Sequence, residues 1–490
     1  MTSIKSTKRA LITSALAILM CAAMLIGTTF AWFTDTASTG VNKIVSGNLK
    51  VDIIGADSDS HIEKLNFTKA ATTDAEAGAE ILWEPGCRYL TEGFRIANKG
   101  NLALKWKAQV NTGTTAANEG NFDLLDVIDF YLVTKAADGT ETETALDEFT
   151  GNLKKTETSD VYYIKGVMQT TAGNDYQGLT LDGISITVVA TQDTVESDSF
   201  DNQYDKDAEY PILVTTGDEL QAIVSNATAP VNIVLTNSIT TNNFVIPVDK
   251  DVTLDLNGCT VTNAESHTIL NKGHLTLTDS SADKSGQIIS LKGNTAALRN
   301  GDNAVCVVKG GTISRDGANG NTWHVVENFG KMTFNGGKVV LKNGNGFAIT
   351  NGWNYFDPGA STTHAVMEIN ALELDTDSSG IKNCRYGDLT VNDVTVTSTG
   401  YWALSNDYLG TAVINGGTLT SNSFKAVSNG AAMTVNGGTF DGTEGFVVQS
   451  YATSTVLNGG TFANMNVDAL ASYVGTGHTA QQSGTSVIIK

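Results

Sequence analysis

The chain has 490 residues but only 5 prolines, although it has 49 glycines. A collagen-like chain needs a strict three-residue glycine period and much proline, so this composition excludes one. Many glycines with few prolines indicate instead short strands closed by tight turns. We therefore expect an all-β fold.

Cysteine is also scarce, with 5 residues and no CxxC spacing. Cys21 lies in a segment that we expect to be removed, and Cys87, Cys259, Cys306 and Cys384 are far apart. A zinc site or a disulfide framework needs closer, paired cysteines. We therefore expect buried, unreactive thiols and neither a bound metal nor a cofactor.

Basic residues are fewer than acidic ones, 31 against 52, and the formal net charge is −21. An acidic surface repels nucleic acid and anionic lipid, so neither is an expected partner. The negative charge is dispersed, as on a soluble surface outside the cell.

The N-terminus resembles an export signal. Lys5, Lys8 and Arg9 precede an apolar run over residues 10–26, which is short for a membrane span. Small residues at Thr29 and Ala31 predict cleavage between Ala31 and Trp32, with residues 1–31 as the signal peptide. The alternative is that the segment stays uncleaved as an anchor, which would be the protein's one contact with a membrane.

Residues 32–200 show the alternation of polar and apolar side chains that half-buried strands have. The segments 48–53, 93–97 and 102–106 alternate in this way, and a turn signal at 98–100 separates the last two. Strands at such spacing predict an antiparallel β-sandwich.

Ordered motifs in this region resemble the TasA/camelysin family of biofilm-matrix fibre proteins. They are Ala31-Trp-Phe-Thr-Asp35, Ser46-Gly-Asn-Leu49, Trp83-Glu-Pro-Gly86, residues 94–103, Tyr176-Gln-Gly178 and residues 188–192. The resemblance implies a jelly-roll domain, a dedicated signal peptidase and fibre assembly through the mature N-terminal strand from Trp32. Some members are described as metallopeptidases, but this region has only His61 and no HExxH.

Residues 201–230 read as an acidic linker followed by a short helix. Thr216 and Glu219 fit a capping box before Leu220, Ile223 and Val224. Such a helix would cover the first coil of a solenoid, whose open end exposes apolar core and unpaired strand edges.

Residues 231–490 form a repeat with two markers. Glycine pairs recur at 416, 437 and 459, which gives spacings of 437 − 416 = 21 and 459 − 437 = 22. An asparagine after a short apolar strand is the second marker, and Ser450 falls at the same place. The asparagines are Asn271, Asn300, Asn328, Asn351, Asn406 and Asn429. Two markers in step predict a right-handed parallel β-helix in which the asparagines stack as an amide ladder.

The architecture resembles the pectate-lyase-like β-helices, many of which cleave polysaccharides. Neither an acid/base pair nor a recognisable metal-binding cluster is evident, although Asp377, Asp388, Asp393 and Asp407 could converge in space. Aromatic residues near the turns could stack on sugars or could simply cover the solenoid. The candidate glycan-binding residues are Trp323, Trp353, Tyr355, Tyr386, Trp402 and Tyr408.

These observations favour a secreted, non-enzymatic cell-surface or extracellular-matrix protein of the biofilm type. The N-terminal domain is expected to self-associate, and the β-helix to bind polysaccharide. The competing hypothesis is a polysaccharide lyase or glycoside hydrolase of the β-helix class.

Overall fold

The computed structural model describes residues 49–62, 65–68, 83–111, 114–115, 122–146, 149–182, 185–193, 209–242, 244–316, 324–344, 346–353 and 363–490. The predicted signal peptide and the Ala31–Trp32 cleavage site lie outside these ranges. Strands make up 51% of the chain and helices 6%, so the all-β prediction is confirmed.

The N-terminal region contains antiparallel sheets. One sheet has the order β1-β4-β10-β3-β2, with β7 pairing β10 and β8, and a second has the order β12-β5-β9. A short sheet pairs β11 with β6. The described strands are β1 Val51–Gly55, β2 Phe67–Thr68, β3 Arg88–Thr91, β4 Phe94–Asn98, β5 Leu104–Asn111, β6 Thr114–Thr115, β7 Ile128–Lys135, β8 Glu141–Ala145, β9 Phe149–Leu153, β10 Tyr162–Met168, β11 Leu181–Asp182 and β12 Ser185–Gln192. Short 3-10 turns cover Leu124–Asp126 and Asn174–Tyr176.

The two larger sheets share one hydrophobic core. Phe94 and Ile164 contribute from the first sheet, and Trp106 and Leu153 from the second. Trp106 packs so closely that a Cβ on Gly151 of the neighbouring strand would meet its ring at 2.7 Å. This close approach explains why a glycine interrupts β9.

A parallel β-solenoid of about 10 turns covers residues 212–462. Each coil contributes up to three short strands, and each strand pairs in parallel with the matching strand of the next coil. The stacked coils therefore form three faces, each of which runs along the axis of the solenoid. The first and second faces join through two 12-residue strands, Lys331–Lys342 (β26) and Ala365–Thr376 (β28).

The first face contains β13 Ile212–Val214, β14 Val231–Leu235, β17 Asp251–Asp255, β20 His274–Thr278, β23 Val305–Val308, the starts of β26 Lys331–Lys342 and β28 Ala365–Thr376, β30 Gly387–Val391, β33 Thr411–Ile414, β36 Ala432–Val435 and β39 Ser454–Leu457. The second face contains β15 Ile239–Thr240, β18 Thr260–Asn263, β21 Gln287–Ser290, β24 Thr312–Asp316, the ends of β26 and β28, β31 Thr395–Ser398, β34 Thr418–Ser421, β37 Thr439–Asp441 and β40 Gly460–Phe462. The third face contains β16 Val245–Ile246, β19 Ile269–Asn271, β22 Leu298–Asn300, β25 Val326–Asn328, β27 Phe347–Asn351, β29 Ser379–Asn383, β32 Leu404–Asn406, β35 Val427–Asn429 and β38 Phe446–Val448.

The glycine pairs lie at the corner between the first and second faces. The second glycine of a pair has a positive φ, +99° at Gly417 and +111° at Gly438. A Cβ on Gly417 would also meet the carbonyl oxygen of Val394 at 2.6 Å. Both the backbone conformation and the close packing of coils therefore require glycine here.

The interior is filled by side chains that alternate inward along each strand and stack on the same positions of neighbouring coils. Phe440 and Phe462, for example, stack with ring centres 4.9 Å apart. Each fully buried ring of this kind contributes about 1.5–3 kcal/mol of hydrophobic stabilisation.

Both ends of the solenoid are covered. At the N-terminal end, helix α1 spans Gly217–Asn226, with the Thr216 side chain accepting from the Glu219 amide and with Leu220 and Val224 buried. The Gln221 side-chain amide bonds both the N–H and the C=O of Val245, at 2.7 and 3.0 Å, and so replaces a missing strand. The first solenoid strand, Ile212–Val214, lies inside the segment predicted as linker and capping helix.

At the C-terminal end, β42 Ser486–Ile489 runs antiparallel to Gly460–Phe462 and pairs with β41 Ala480–Ser483. A one-turn helix α2, Val467–Leu470, precedes them and buries Leu470. In the described ranges, no helix is both long enough and apolar enough to cross a membrane.

Candidate functional site

The predicted aromatic residues do not form one cluster. Trp323 and Tyr355 lie outside the described residues. Trp402 lies at the corner before the third face, whereas Trp353, Tyr386 and Tyr408 lie at the corner after it. The aromatic side chains therefore border the third face on its two sides.

At the first of these corners, Trp402 packs edge-on against Phe424 of the next coil, with ring centres 4.6 Å apart. Tyr401 contacts the same ring at 5.8 Å, and 55% of its surface is exposed. The corner therefore combines a packed ring with one that can meet a ligand.

At the opposite corner, Trp353 packs on Phe329 with ring centres 4.5 Å apart. The Arg299 guanidinium lies over the Phe329 ring, 4.7 Å from its centre. The Trp353 indole nitrogen is buried and has no hydrogen-bond partner within the described chain. Trp353 therefore covers the solenoid at this corner.

The same corner continues over later coils with more accessible rings. Tyr386 has a φ of +59° and lies against the Arg385 guanidinium at 4.8 Å. Tyr408 and Tyr451 are 45% and 56% exposed. The Tyr451 ring lies over Gly430 of the coil before it, and no repeat signature in the sequence marks this tyrosine. Only the three-dimensional stacking of coils places it in this row.

The outward side of the third face is a narrow polar strip between these two corners. It consists of the middle residue of each short strand: Leu270, Arg299, Glu327, Thr350, Lys382, Ser405, Ser428 and Val447. Glu327 is only 3% exposed although it lies on this outward side.

Charges on this strip are paired across coils. Arg299 Nη1 lies 3.0 Å from Glu327 Oε2, and Lys382 Nζ lies 3.4 Å from Asp407 Oδ2. The Lys382 ammonium also lies 5.2 Å from the Phe347 ring centre. The strip is therefore nearly neutral although the whole chain carries a net charge of −21. The strip therefore offers hydrogen-bond donors and acceptors without the electrostatic repulsion that the acidic surface of the chain exerts on negatively charged groups.

Two histidines lie at the corner before the third face in the N-terminal coils. His267 Nδ1 accepts from the Ala296 amide at 2.8 Å, and His324 Nδ1 accepts from the Phe347 amide at 3.2 Å. Burial lowers the pKa of each imidazole to about 4. Both rings are therefore neutral acceptors at neutral pH, and their role is to hold the corner.

The asparagines of the predicted ladder form one buried column at the end of the third face. The donor–acceptor pairs from Nδ2 to Oδ1 are Asn271–Asn300 at 2.7 Å, Asn300–Asn328 at 2.8 Å, Asn328–Asn351 at 2.7 Å, Asn351–Asn383 at 2.9 Å, Asn383–Asn406 at 2.8 Å and Asn406–Asn429 at 2.9 Å.

Asn383 is the member that the sequence analysis missed. Its coil contains a long insertion after Asn351, which hid the period, although Ile381-Lys-Asn383 has the same apolar-x-Asn pattern as the others. Ser450 was predicted to follow Asn429 at the same place in the next coil, but Val448 occupies that place. Val448 pairs with Asn429 in the strand register, and the Asn429 amide donates to Thr455 Oγ1 at 2.8 Å.

Each buried asparagine also donates to a backbone carbonyl. Asn383 Nδ2, for instance, bonds Thr411 O at 3.0 Å besides Asn406 Oδ1. An amide supplies two donors and an acceptor on one short side chain, whereas aspartate has no donor and leucine has neither. This is the physical reason for asparagine at this position in the seven successive coils from Asn271 to Asn429.

A second amide ladder, unforeseen from the sequence, lies on the surface at the corner between the first and second faces. Its donor–acceptor pairs are Asn370–Asn335 at 2.9 Å, Asn392–Asn370 at 2.6 Å, Asn415–Asn392 at 2.7 Å, Asn436–Asn415 at 2.8 Å and Asn458–Asn436 at 2.9 Å. The available signal was the asparagine before four of the glycine pairs, at Asn335, Asn415, Asn436 and Asn458.

The four candidate catalytic carboxylates lie at different places around the coil. Asp388 is on the first face with His364 Nδ1 at 2.8 Å, and Asp393 is at the following corner. Asp377 accepts from the Asn343 amide at the corner before the third face, and Asp407 pairs with Lys382 beyond it. They therefore do not meet in one groove.

His364 does border a shallow hollow of about 170 Å³, together with Lys331, Asn303 and Thr363. Among the residues that the structure describes, no three His, Cys, Asp or Glu side chains are grouped so as to hold a metal ion. Burial raises the pKa of the Cys306 and Cys384 thiols to about 12 and that of Cys259 to about 11. These thiols are therefore poor nucleophiles.

Comparison with known proteins adds no relative. No protein-family model matches the chain, and no curated protein matches it either. The functional interpretation therefore depends on the geometry described above.

Proposed function

We propose that this protein is a secreted, non-enzymatic structural or adhesion protein of the cell surface or extracellular matrix, and that its solenoid binds glycans along the third face. The observation that carries the proposal is the nearly neutral polar strip bordered by aromatic side chains at both corners. Rings such as Tyr401 and Tyr408 can stack on sugar faces, and the paired charges between them can bond hydroxyl groups.

The length of this face favours a polysaccharide over a single sugar. The accessible aromatic side chains follow one corner from Tyr386 to Tyr451, over three coil steps. With neighbouring strands ~4.8 Å apart, that row is roughly 14 Å long. An extended chain lying parallel to the solenoid axis would contact several rings at once, so weak individual contacts would add.

A binding role is favoured over catalysis because the acidic residues are separated and individually engaged. Hydrolysis needs two carboxylates at a controlled distance on either side of one bond. Asp388 and Asp407 are instead bonded to His364 and Lys382, at different places around the coil. A polysaccharide lyase or glycoside hydrolase remains the competing function, to be decided by the experiment below.

The proposal also includes export of the protein and self-association of its N-terminal domain. Residues 1–31 would direct export, with cleavage before Trp32, and the N-terminal domain would be a TasA-like jelly-roll that self-associates. A right-handed winding of the solenoid belongs to the same hypothesis. Deleting residues 32–40 should abolish oligomers and leave the solenoid folded. Oligomers that persist in the deletion variant would contradict strand donation.

The binding test uses the full-length protein against immobilised neutral and acidic polysaccharides. Tyr408→Ala and Tyr401→Ala should each weaken binding by about tenfold, which corresponds to about 1.4 kcal/mol. Tyr131→Ala, on a sandwich strand, is the matched control and should leave binding unchanged. Asp377→Asn and Asp388→Asn should also have little effect.

Turnover is measured in the same samples, with and without calcium. Reducing ends or unsaturated products that disappear in an Asp→Asn variant would establish an enzyme and overturn the proposal. If no polysaccharide binds at all, the aromatic residues are covers of the solenoid, and the domain is a rigid spacer.

A further inference from the structure

Asn-Gly pairs in the solenoid occupy two chemically different settings. In the buried column, Asn300, Asn351 and Asn429 are each followed by glycine. The N–H of that glycine donates to the backbone oxygen of the asparagine one coil earlier. The bonds are Gly301 to Asn271 at 2.8 Å, Gly352 to Asn328 at 2.9 Å and Gly430 to Asn406 at 2.7 Å.

At two members of the surface ladder the setting is reversed, whereas Gly459, which follows Asn458, donates to the Val435 carbonyl at 3.3 Å. Asn415 and Asn436 are exposed, and the glycines after them, Gly416 and Gly437, are partly exposed. Within the described part of the chain, the N–H groups of these two glycines have no hydrogen-bond partner. Solvent base can therefore remove the proton from either of these N–H groups without first breaking a hydrogen bond, whereas each N–H of the buried column must first lose its bond.

We propose that Asn415 and Asn436 are sites of spontaneous deamidation in the folded protein, with water as the co-reactant. The glycine nitrogen loses its proton to hydroxide and attacks Cγ of the preceding asparagine. A bond forms between this nitrogen and Cγ, the bond from Cγ to Nδ2 breaks, and the amide leaves as ammonia after taking up a proton. Water then opens the cyclic imide to aspartate or isoaspartate.

Two features make the exposed pairs reactive and the buried ones inert. Glycine has no Cβ to obstruct ring closure, and this holds at all five positions. Deprotonation of the glycine N–H, however, requires that it is not already donating to a carbonyl shielded from water. At Asn300, Asn351 and Asn429 the coil must open before the reaction can begin.

The modification would act on the two ladders unequally. A carboxylate at position 415 cannot donate, so the 2.7 Å bond from Asn415 to Asn392 Oδ1 is lost. Each event also adds negative charge to a chain whose net charge is already −21. The surface ladder would loosen with age, while the buried ladder keeps the coils in register.

The test is peptide mapping by mass spectrometry of the full-length protein after incubation at mildly alkaline pH, with hydrogen exchange to verify that it stays folded. Conversion at Asn415 and Asn436 should be at least about tenfold faster than at Asn300, Asn351 and Asn429, because the buried sites react only through opening. In urea-unfolded protein, all five sites should convert at similar rates.

Two results would overturn the proposal. One is that Asn415 and Asn436 survive in the folded protein as long as the buried sites. The other is that the buried sites convert as fast as the exposed ones while the chain remains folded. Glycan binding plays no part in this experiment, so its outcome is independent of the proposed function.

Discussion

Replacing one asparagine of the buried column should destabilise the solenoid far more than the same change in the surface ladder. Asn383→Leu keeps the approximate size of the side chain but removes its amide. Asn415→Leu makes the matched change at the surface. The two side chains make inter-coil amide bonds of similar length, 2.8 Å from Asn383 and 2.7 Å from Asn415. The comparison therefore isolates burial.

The magnitude follows from the groups left without partners. Asn383→Leu removes the donor to Asn406 Oδ1, the donor to Thr411 O and the acceptor of Asn351 Nδ2. Each buried polar group left unsatisfied costs about 1–3 kcal/mol, and relaxation recovers part of that, so we expect a loss of about 3 kcal/mol or more. At Asn415, water replaces the lost partners, and the loss should be about 1 kcal/mol or less.

Urea unfolding of the full-length protein, followed by circular dichroism, measures the two losses. Hydrogen exchange then locates them, since a solenoid coil contacts mainly its neighbours and should lose protection locally. For Asn383→Leu, the amides of the coils around residues 347–435 should exchange faster. Equal losses in the two variants would refute the reasoning, because the stabilisation would then come from the amide pair itself and not from its burial.

Three further predictions concern other parts of the fold. His324 has its pKa lowered from 6.5 to about 4 in the folded chain, so the unfolded chain binds more protons between these values. His324 should therefore contribute a fall of about 2–3 kcal/mol in the free energy of unfolding as the pH drops from 6.5 to 4, and the buried His267 should add a similar fall. In His324→Gln, a pH dependence as steep as in the unmodified protein would contradict this. Gly438→Ala should cost about 2 kcal/mol because φ is +111° there, whereas Gly173→Ala, which has space for a Cβ, should stay within about 0.5 kcal/mol; similar melting temperatures for the two variants would argue against backbone strain. Cys306 and Cys384, with thiol pKa values raised to about 12, should resist alkylation at neutral pH until urea is added, and rapid labelling of the native protein would show that the coils open readily.

Several features of the fold could be predicted from the sequence because they depend on local patterns. Alternating Val, Ile, Leu and Thr residues predict strands, and glycine pairs predict the corners between them. The capping box at Thr216 and Glu219 predicts the helix observed at Gly217–Asn226. The recurrence of Asn at one place in each coil indicated a stacked column before its hydrogen bonds were visible.

The candidate site was less predictable because it depends on which coil each residue occupies. Trp402 and Tyr408 are six residues apart but lie at opposite corners of the third face. Arg299 and Glu327 are 28 residues apart and form an ion pair. Sequence distance therefore says little about proximity on a solenoid, where neighbours are one coil apart.

The amino-acid sequence by itself determined the coil, because each strand, turn and inward-facing residue follows from side-chain alternation and glycine conformation. Only the tertiary structure decided what the stacked coils present together. Stacking separated Asp377, Asp388, Asp393 and Asp407 around the coil and placed aromatic side chains along both edges of one face. It also buried one asparagine ladder and exposed the other. The physical reason is that burial and pairing across coils are properties of the assembled stack, which no single repeat contains.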